Sequence, residues 1–106
     1  MPRRVFDAHL HIIDPRFPLQ ENDGYLPPPF TVDDYRNRVG ALGVAGGAVV
    51  SGSFQGFDQS YLVAALAALG PTYVGVTQIP ADTTDAEIER RDRIGVRAVR
   101  FNVRRG

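Results

Sequence analysis

Apolar and polar residues alternate strictly over residues 6–12, close to the start of the chain. A period of two is typical of a β-strand with one face in a core. The apolar face would hold four residues and the polar face three: Phe6, Ala8, Leu10 and Ile12 against Asp7, His9 and His11. The pattern therefore predicts a first strand that buries one face and leaves the other free for chemistry.

Three segments with helical spacing follow this strand. Each starts with a capping residue and ends at a glycine: Thr31 to Gly43, Asp58 to Gly70, and Thr84 to Gly95. Apolar, β-branched runs at 45–50, 73–79 and 96–102 read as further strands. The order β-α-β-α-β-α-β with short connections predicts right-handed crossovers and one parallel sheet.

The third helix breaks its own pattern. Thr84 and Glu87 are spaced as a capping box, but the apolar stripe of Ile88 and Ile94 is interrupted by Arg91. Either the stem of Arg91 lies along the edge of the core, or this helix packs poorly.

Two loops carry polar side chains that could serve a site. The segment 14–30 contains five prolines, which favour an ordered loop, and places Tyr25 on a turn. The loop 51–56 follows an apolar strand, and its Ser53 and Gln55 lie where parallel sheets hold their sites. Tyr25 either packs the loop or covers a site, and Ser53 and Gln55 either build the turn or contact a ligand.

Composition narrows the class of protein. The 106 residues suffice for one domain, 1–106, and the absence of cysteine leaves histidine and carboxylate as the metal ligands available. Twelve basic residues balance twelve acidic ones, so a nucleic-acid surface is not expected. No run is apolar enough for a membrane span, and a cytoplasmic location is predicted.

The His9 and His11 pair is the strongest candidate for chemistry. In a strand their Cα atoms are about 7 Å apart, so both imidazoles could reach one metal ion or one substrate oxygen. The same spacing also suits two ordinary strand histidines. Asp7, predicted on the same face, favours a lined cavity over a packed core.

Three segments together resemble a known family. They are Phe6-Asp7-Ala8-His9-Leu10-His11, Gly24-Tyr25-Leu26-Pro27, and Gly95 to Asn102. In this order they resemble the amidohydrolase-related family of TIM barrels, and within it the pyrone-dicarboxylate lactonase-like hydrolases. The resemblance covers the first half of the family's domain. It implies an α/β fold, the parallel βαβαβαβ half of a (β/α)8 barrel of the metal-dependent-hydrolase type.

The resemblance also implies roles for single residues. His9 and His11 would be catalytic, holding and polarising a substrate carbonyl, or would bind one divalent ion, usually zinc, in the metal-dependent branch. Tyr25, Ser53 and Arg100 match positions near the substrate, a small carboxylated molecule.

Residue alternation adds to this reading of the fourth strand. Asn102 shares the strand face of Arg100 and is its expected companion in substrate binding, while Arg97 falls on the opposite face. A guanidinium suits a carboxylate because it forms two parallel bonds, although Arg100 could instead make a structural ion pair.

The family's general base would lie beyond Gly106, so the chain is expected to be a truncated, inactive hydrolase that opens a cyclic ester or amide. The alternatives are a catalytically dead half-barrel with weak metal or anion binding, and a decarboxylase of the same superfamily that uses zinc or manganese. Exposed edges at the first and fourth strands predict self-association.

Overall fold

Four strands and three helices alternate in the computed structural model, which describes residues 4–21, 24–52 and 55–100. The elements are β1 (Val5–Leu10), α1 (Val32–Val39), β2 (Val44–Val50), α2 (Ser60–Leu69), β3 (Tyr73–Thr77), α3 (Asp85–Arg93) and β4 (Val96–Val99). None of the helices in these ranges is long and apolar enough to cross a membrane.

The strands form one parallel sheet in the order β1-β2-β3-β4, so the predicted βαβαβαβ arrangement is confirmed. The core lies between this sheet and the helices. Its buried members come from β1 and the residues after it, α1, β2, α2 and β4: Leu10, Ile12, Tyr35, Val49, Tyr61, Leu62, Ala65, Leu66 and Val96. The helices therefore cover one face of the sheet.

The predicted helix starts are largely confirmed. Thr31 and Asp34 form a full capping box at α1. At α2 the N-cap is Gln59, and Asp58, predicted as the cap, lies one residue earlier, where its carboxylate accepts from the backbone N–H of Ser60 at 3.0 Å. Thr84 caps α3 by accepting from the backbone N–H of Glu87.

The third helix is the least buried of the three. None of its side chains is buried, and Ile88 is 45% exposed. The Arg91 side chain is 16% exposed, and its Nε donates to Glu87 at 3.0 Å. Both alternatives for Arg91 hold, because its stem lies along the core edge and the helix contributes little to the core.

An extra residue in β1 reverses part of the predicted alternation. Asp7 pairs with Gly47 and Leu10 with Val49, so three residue steps of β1 lie opposite two of β2. A bulge of this kind shifts the residues before it to the other face. Asp7 accordingly faces the helices, where its Oδ2 accepts from the Tyr35 hydroxyl at 3.0 Å.

Three predictions for β1 are therefore wrong. Ala8, predicted on the buried face, is exposed. Asp7 does not share a face with the histidines, and Phe6 does not share the buried face of Leu10. Phe6 pairs with Gly46, on the face away from the helices, and is 60% exposed.

Candidate functional site

Both histidines lie at the carboxyl end of β1. Leu10 and Ile12 point into the core, so His9 and His11, at alternating positions, project to the other face of the sheet. Their rings meet edge to face, with centroids 4.8 Å apart. The predicted juxtaposition of the two imidazoles is present in the structure.

A backbone carbonyl fixes the orientation of His11. Its Nδ1 lies 2.8 Å from the carbonyl oxygen of Val50, at the end of β2. A carbonyl can only accept, so Nδ1 carries a proton and donates, and Nε2 of neutral His11 holds a lone pair. The Nε2 of His9, 3.1 Å away, then donates to that lone pair.

The surroundings of His11 keep it neutral. Desolvation by burial lowers the pKa of His11 below 6.5, and the positive charges of His9 and Arg100 lower it further. The hydrogen bond to Val50 acts in the opposite direction and is outweighed. At neutral pH, the Nε2 lone pair of His11 is thus available to a metal ion or a hydrogen-bond donor.

Arg100 follows directly after β4 and reaches back across the sheet end. Its backbone N–H donates to the carbonyl of Thr77 at 2.9 Å, and its Nη1 donates to the carbonyl of Ser51 at 3.0 Å. Among the described residues it forms no ion pair, which argues against the structural ion pair considered above. A guanidinium has five N–H donors, so the Ser51 bond leaves capacity for a carboxylate.

Arg97 points away from this group, as predicted. Its guanidinium pairs with Asp92, at the end of α3, at 3.1 Å. The two arginines of the last strand region therefore serve different faces of the sheet.

Gln55 builds the loop after β2. Its buried side chain accepts from the backbone N–H of Gly52 at 2.7 Å and donates to the carbonyl of Ile12 at 2.9 Å. Of its two predicted roles, turn-building is the one observed. The amide ties the loop after β2 to the chain segment that follows His11.

The remaining predicted site residues are not drawn together by the described structure. Tyr25 is 58% exposed in the loop before α1. Ser53 and Asn102 lie outside the described residues. Their substrate contacts stay predictions.

Sequence reasoning missed the two carbonyls, of Val50 and Ser51, that hold His11 and Arg100. Backbone atoms leave no signal in residue identity, so only the strand register could have located them. Missed as well was the Ser51 hydroxyl, which is buried without a hydrogen-bond partner among the described residues.

The pair of Nε2 atoms fits part of a metal site. Two nitrogen ligands at about 2.0–2.1 Å from one divalent ion lie roughly 2.9–3.4 Å apart, and the observed separation is 3.1 Å. The Nδ1 bond of His11 to a carbonyl is the usual support of a metal-binding histidine. Within the described ranges, however, no three His, Cys, Asp or Glu side chains could share an ion.

A family profile described as "Amidohydrolase" matches residues 6–106. The chain belongs to the amidohydrolase family. The predicted resemblance to this family is confirmed. A curated relative, the 2-pyrone-4,6-dicarboxylate hydrolase of Comamonas testosteroni, is 31% identical over 104 residues, which are 96% of this chain and 34% of the relative.

Solved structures share the fold of this chain. An apo structure from Agrobacterium tumefaciens matches with a TM-score of 0.81 at 25% identity, covering 92% of this chain and 36% of its own. A second, from Acinetobacter baumannii, matches with a TM-score of 0.83 at 22% identity and covers 92% and 37%. It is described as a probable 2-pyrone-4,6-dicarboxylic acid hydrolase with citric acid bound.

In these neighbours the four parallel strands and their helices correspond to half of a TIM barrel. The chain spans about a third of the length of the relatives it matches.

Proposed function

We propose that this chain provides the carbonyl-orienting and carboxylate-binding half of a lactonase-like hydrolase, which opens a cyclic ester of a small carboxylated compound. The observation that carries the proposal is the grouping of His9, His11 and Arg100 at one end of a parallel sheet. Parallel sheets and β/α barrels bind substrates at the carboxyl ends of their strands.

In this proposal each of the three side chains has a separate role. The Nε2–H of His9 is free to turn from His11 to a substrate carbonyl oxygen and polarise it, because His11 only accepts that proton. Arg100, aimed by Ser51, binds the substrate carboxylate with paired N–H donors. Tyr25 and Ser53, as the family resemblance implies, complete the contacts to the acid groups. Asn102 joins them because residue alternation puts it on the same strand face as Arg100.

The water-activating base is not among these groups. Asp7, the acid closest in sequence, is turned towards α1 and bonded to Tyr35. We therefore propose that the base is supplied from outside residues 1–106, as in the family, and that the chain by itself binds substrate without turnover.

A metal-dependent reaction, such as a decarboxylation, is the second candidate. It is favoured by the 3.1 Å separation of the two Nε2 atoms, which suits one divalent ion held by His9 and His11. Such an ion would act as a Lewis acid on a substrate oxygen.

Ligand titration tests the first proposal. 2-Pyrone-4,6-dicarboxylate, the substrate named for the Comamonas relative, should shift the imidazole NMR signals of His9 and His11, and a 2-pyrone without carboxylates should not. Arg100→Gln should weaken binding at least about tenfold, the worth of one charged hydrogen bond. The matched variant Arg97→Gln should leave it unchanged.

The proposal fails if Arg100→Gln and Arg97→Gln bind the dicarboxylate equally well. Rapid hydrolysis by the chain alone would refute the missing base. Zinc titration separates the second candidate: zinc binding that is lost in His9→Ala, with folding unchanged by circular dichroism, would favour the metal-dependent branch.

A further inference from the structure

The end of β2 holds two side chains of the candidate site through consecutive backbone carbonyls. The carbonyl of Val50 accepts from Nδ1 of His11 at 2.8 Å, and the carbonyl of Ser51 accepts from Nη1 of Arg100 at 3.0 Å. Whatever fixes this short segment against the chain around His11 therefore also fixes the separation of His11 from Arg100.

The backbone ladder between β1 and β2 stops just before His11. Among the described residues, the last pair of these two strands is Leu10 with Val49. Ladder hydrogen bonds fix one strand against its neighbour, and the irregular pairing between Asp7 and Leu10 bends β1 close to this point. The position of His11 relative to β2 thus needs support from outside the ladder.

The side chain of Gln55 gives this support. Its Oε1 accepts from the backbone N–H of Gly52 at 2.7 Å, and its Nε2 donates to the carbonyl of Ile12 at 2.9 Å. Gly52 directly follows Ser51, and Ile12 directly follows His11. The amide is 3% exposed, so it joins the two segments where water does not compete for its hydrogen bonds.

Building the turn does not require the bond to Ile12. The turn from Gly52 to Gln55 already closes through the backbone, because the N–H of Gln55 donates to the carbonyl of Gly52 at 3.1 Å. The next residue after Ile12, Ile13, exchanges two backbone bonds with Phe30, in the loop before α1 and not in β2. The Nε2 bond of Gln55 therefore acts on the join between β2 and the chain that carries His11.

We propose that Gln55 is a positioning residue for the candidate site. By joining Ile12 to Gly52, it keeps Nδ1 of His11 on the Val50 carbonyl and holds the imidazole at a fixed separation from Arg100. Gln55 acts through the backbone and does not touch the ligand. The effect on ligand affinity rests on the proposed function, whereas the effect on the imidazole of His11 does not.

Nitrogen NMR of the imidazoles tests the effect on His11 without a ligand. In the wild type, Nδ1 of His11 should carry the proton and Nε2 should not. Gln55→Met keeps the length of the side chain and removes both amide bonds, so we expect a mixture of the two tautomers. The control is Gln59→Met, which removes a longer contact of 3.4 Å to the Gln78 carbonyl and should keep the single tautomer.

Titration with 2-pyrone-4,6-dicarboxylate tests the effect on the site. Gln55→Met should weaken binding at least about fivefold, the lower end of typical couplings between two sites, and Gln59→Met should leave it unchanged. Such coupling is reciprocal, so in the wild type the bound dicarboxylate should slow hydrogen exchange of the Gln55 side-chain amide. This last measurement does not depend on a variant folding.

The proposal is overturned by a folded Gln55→Met variant that keeps the single tautomer of His11 or binds the dicarboxylate as tightly as the wild type. Unchanged exchange of the Gln55 amide in the liganded wild type would also overturn it. A wild-type chain that does not bind the dicarboxylate would instead refute the proposed function. The tautomer of His11 in Gln55→Met then decides whether Gln55 positions the ring.

Discussion

At the scale of single residues, the site depends on which atom of each imidazole carries a proton. The Val50 carbonyl selects the Nδ1 proton of His11, and that choice leaves His11 as an acceptor towards His9. The positive charge of Arg100 and partial burial both disfavour a proton on His11 Nε2. At this end of the sheet, the imidazole of His11 is therefore neutral and lies near the positively charged Arg100.

Removing the charge of Arg100 should raise the pKa of His11. We expect the imidazole of His11 in the wild type to titrate below 6.5, and the midpoint to rise in Arg100→Gln because a repelling charge is lost. Two-dimensional NMR of the imidazole signals measures both values. Arg97→Gln, whose charge lies on the other face, is the control, and an equal rise there would contradict the assignment.

The sign of the pH effect on stability follows from the same shift. The unfolded chain keeps a histidine pKa near 6.5, so as the pH falls below that value it binds the proton more readily than the folded chain does. His11 therefore lowers the free energy of unfolding progressively below pH 6.5, until the folded-state pKa is passed.

At the scale of elements, β1 is held to α1 by one polar contact. The Tyr35 ring is buried, and its hydroxyl donates to Asp7 across the sheet-helix boundary. Burial, followed by the hydrogen bonds to Tyr73 and Asp7, raises the pKa of Tyr35, so the phenol stays protonated and remains a donor. The contact fixes the face of β1 that bears Asp7, and with it the opposite face near the histidines.

Tyr35→Phe should lower the free energy of unfolding by about 1–2 kcal/mol, because a hydrogen bond to a carboxylate is lost while the ring remains. Urea denaturation followed by circular dichroism measures the change. Asp33→Asn, an exposed acid on the same helix, should change it by less than about 0.5 kcal/mol. A Tyr35→Phe variant as stable as the wild type would show that Asp7 does not anchor α1.

Sequence periodicity predicted all seven elements because each shows its own apolar pattern and most have capping residues, as Thr31 and Thr84 illustrate. The grouping of His9, His11 and Arg100 at one site came from the family resemblance, because periodicity assigns a residue to a strand face and not to its neighbours on other strands. Periodicity failed at Asp7, because an extra residue in a strand depends on pairing with β2, and no local pattern reports that. The support of Arg100 by Ser51 depends likewise on residues 49 positions apart.

At the scale of the whole molecule, stability is concentrated in one layer. Leu62 of α2 is fully buried between the helix and β3, where it would contact a Cβ at Gly75. The third helix contributes no buried side chain, and an open groove of about 670 Å³ lies between it and α2. The core is therefore formed mainly by the sheet with α1 and α2, and α3 contributes little to it.

This distribution predicts unequal costs for similar deletions. Leu62→Ala should lower the free energy of unfolding by about 2–5 kcal/mol, the range for a buried leucine. Ile88→Ala, a deletion of matched size on the 45% exposed side chain of α3, should cost less than about 1 kcal/mol. Chemical denaturation measures both, and comparable losses would contradict the minor role assigned to α3.

Because of the extra residue in β1, neighbouring positions of this strand serve different requirements. One position is needed for folding and the next ones for ligand binding. Variation at Asp7 alters attachment to a helix, whereas variation two residues later, at His9, alters what the rim can bind. A library randomised at His9 and His11 would accordingly be sorted by ligand capture with most clones still folded. The same library built at Asp7 and Tyr35 would be sorted by folding, and the two searches could be run independently within one short strand.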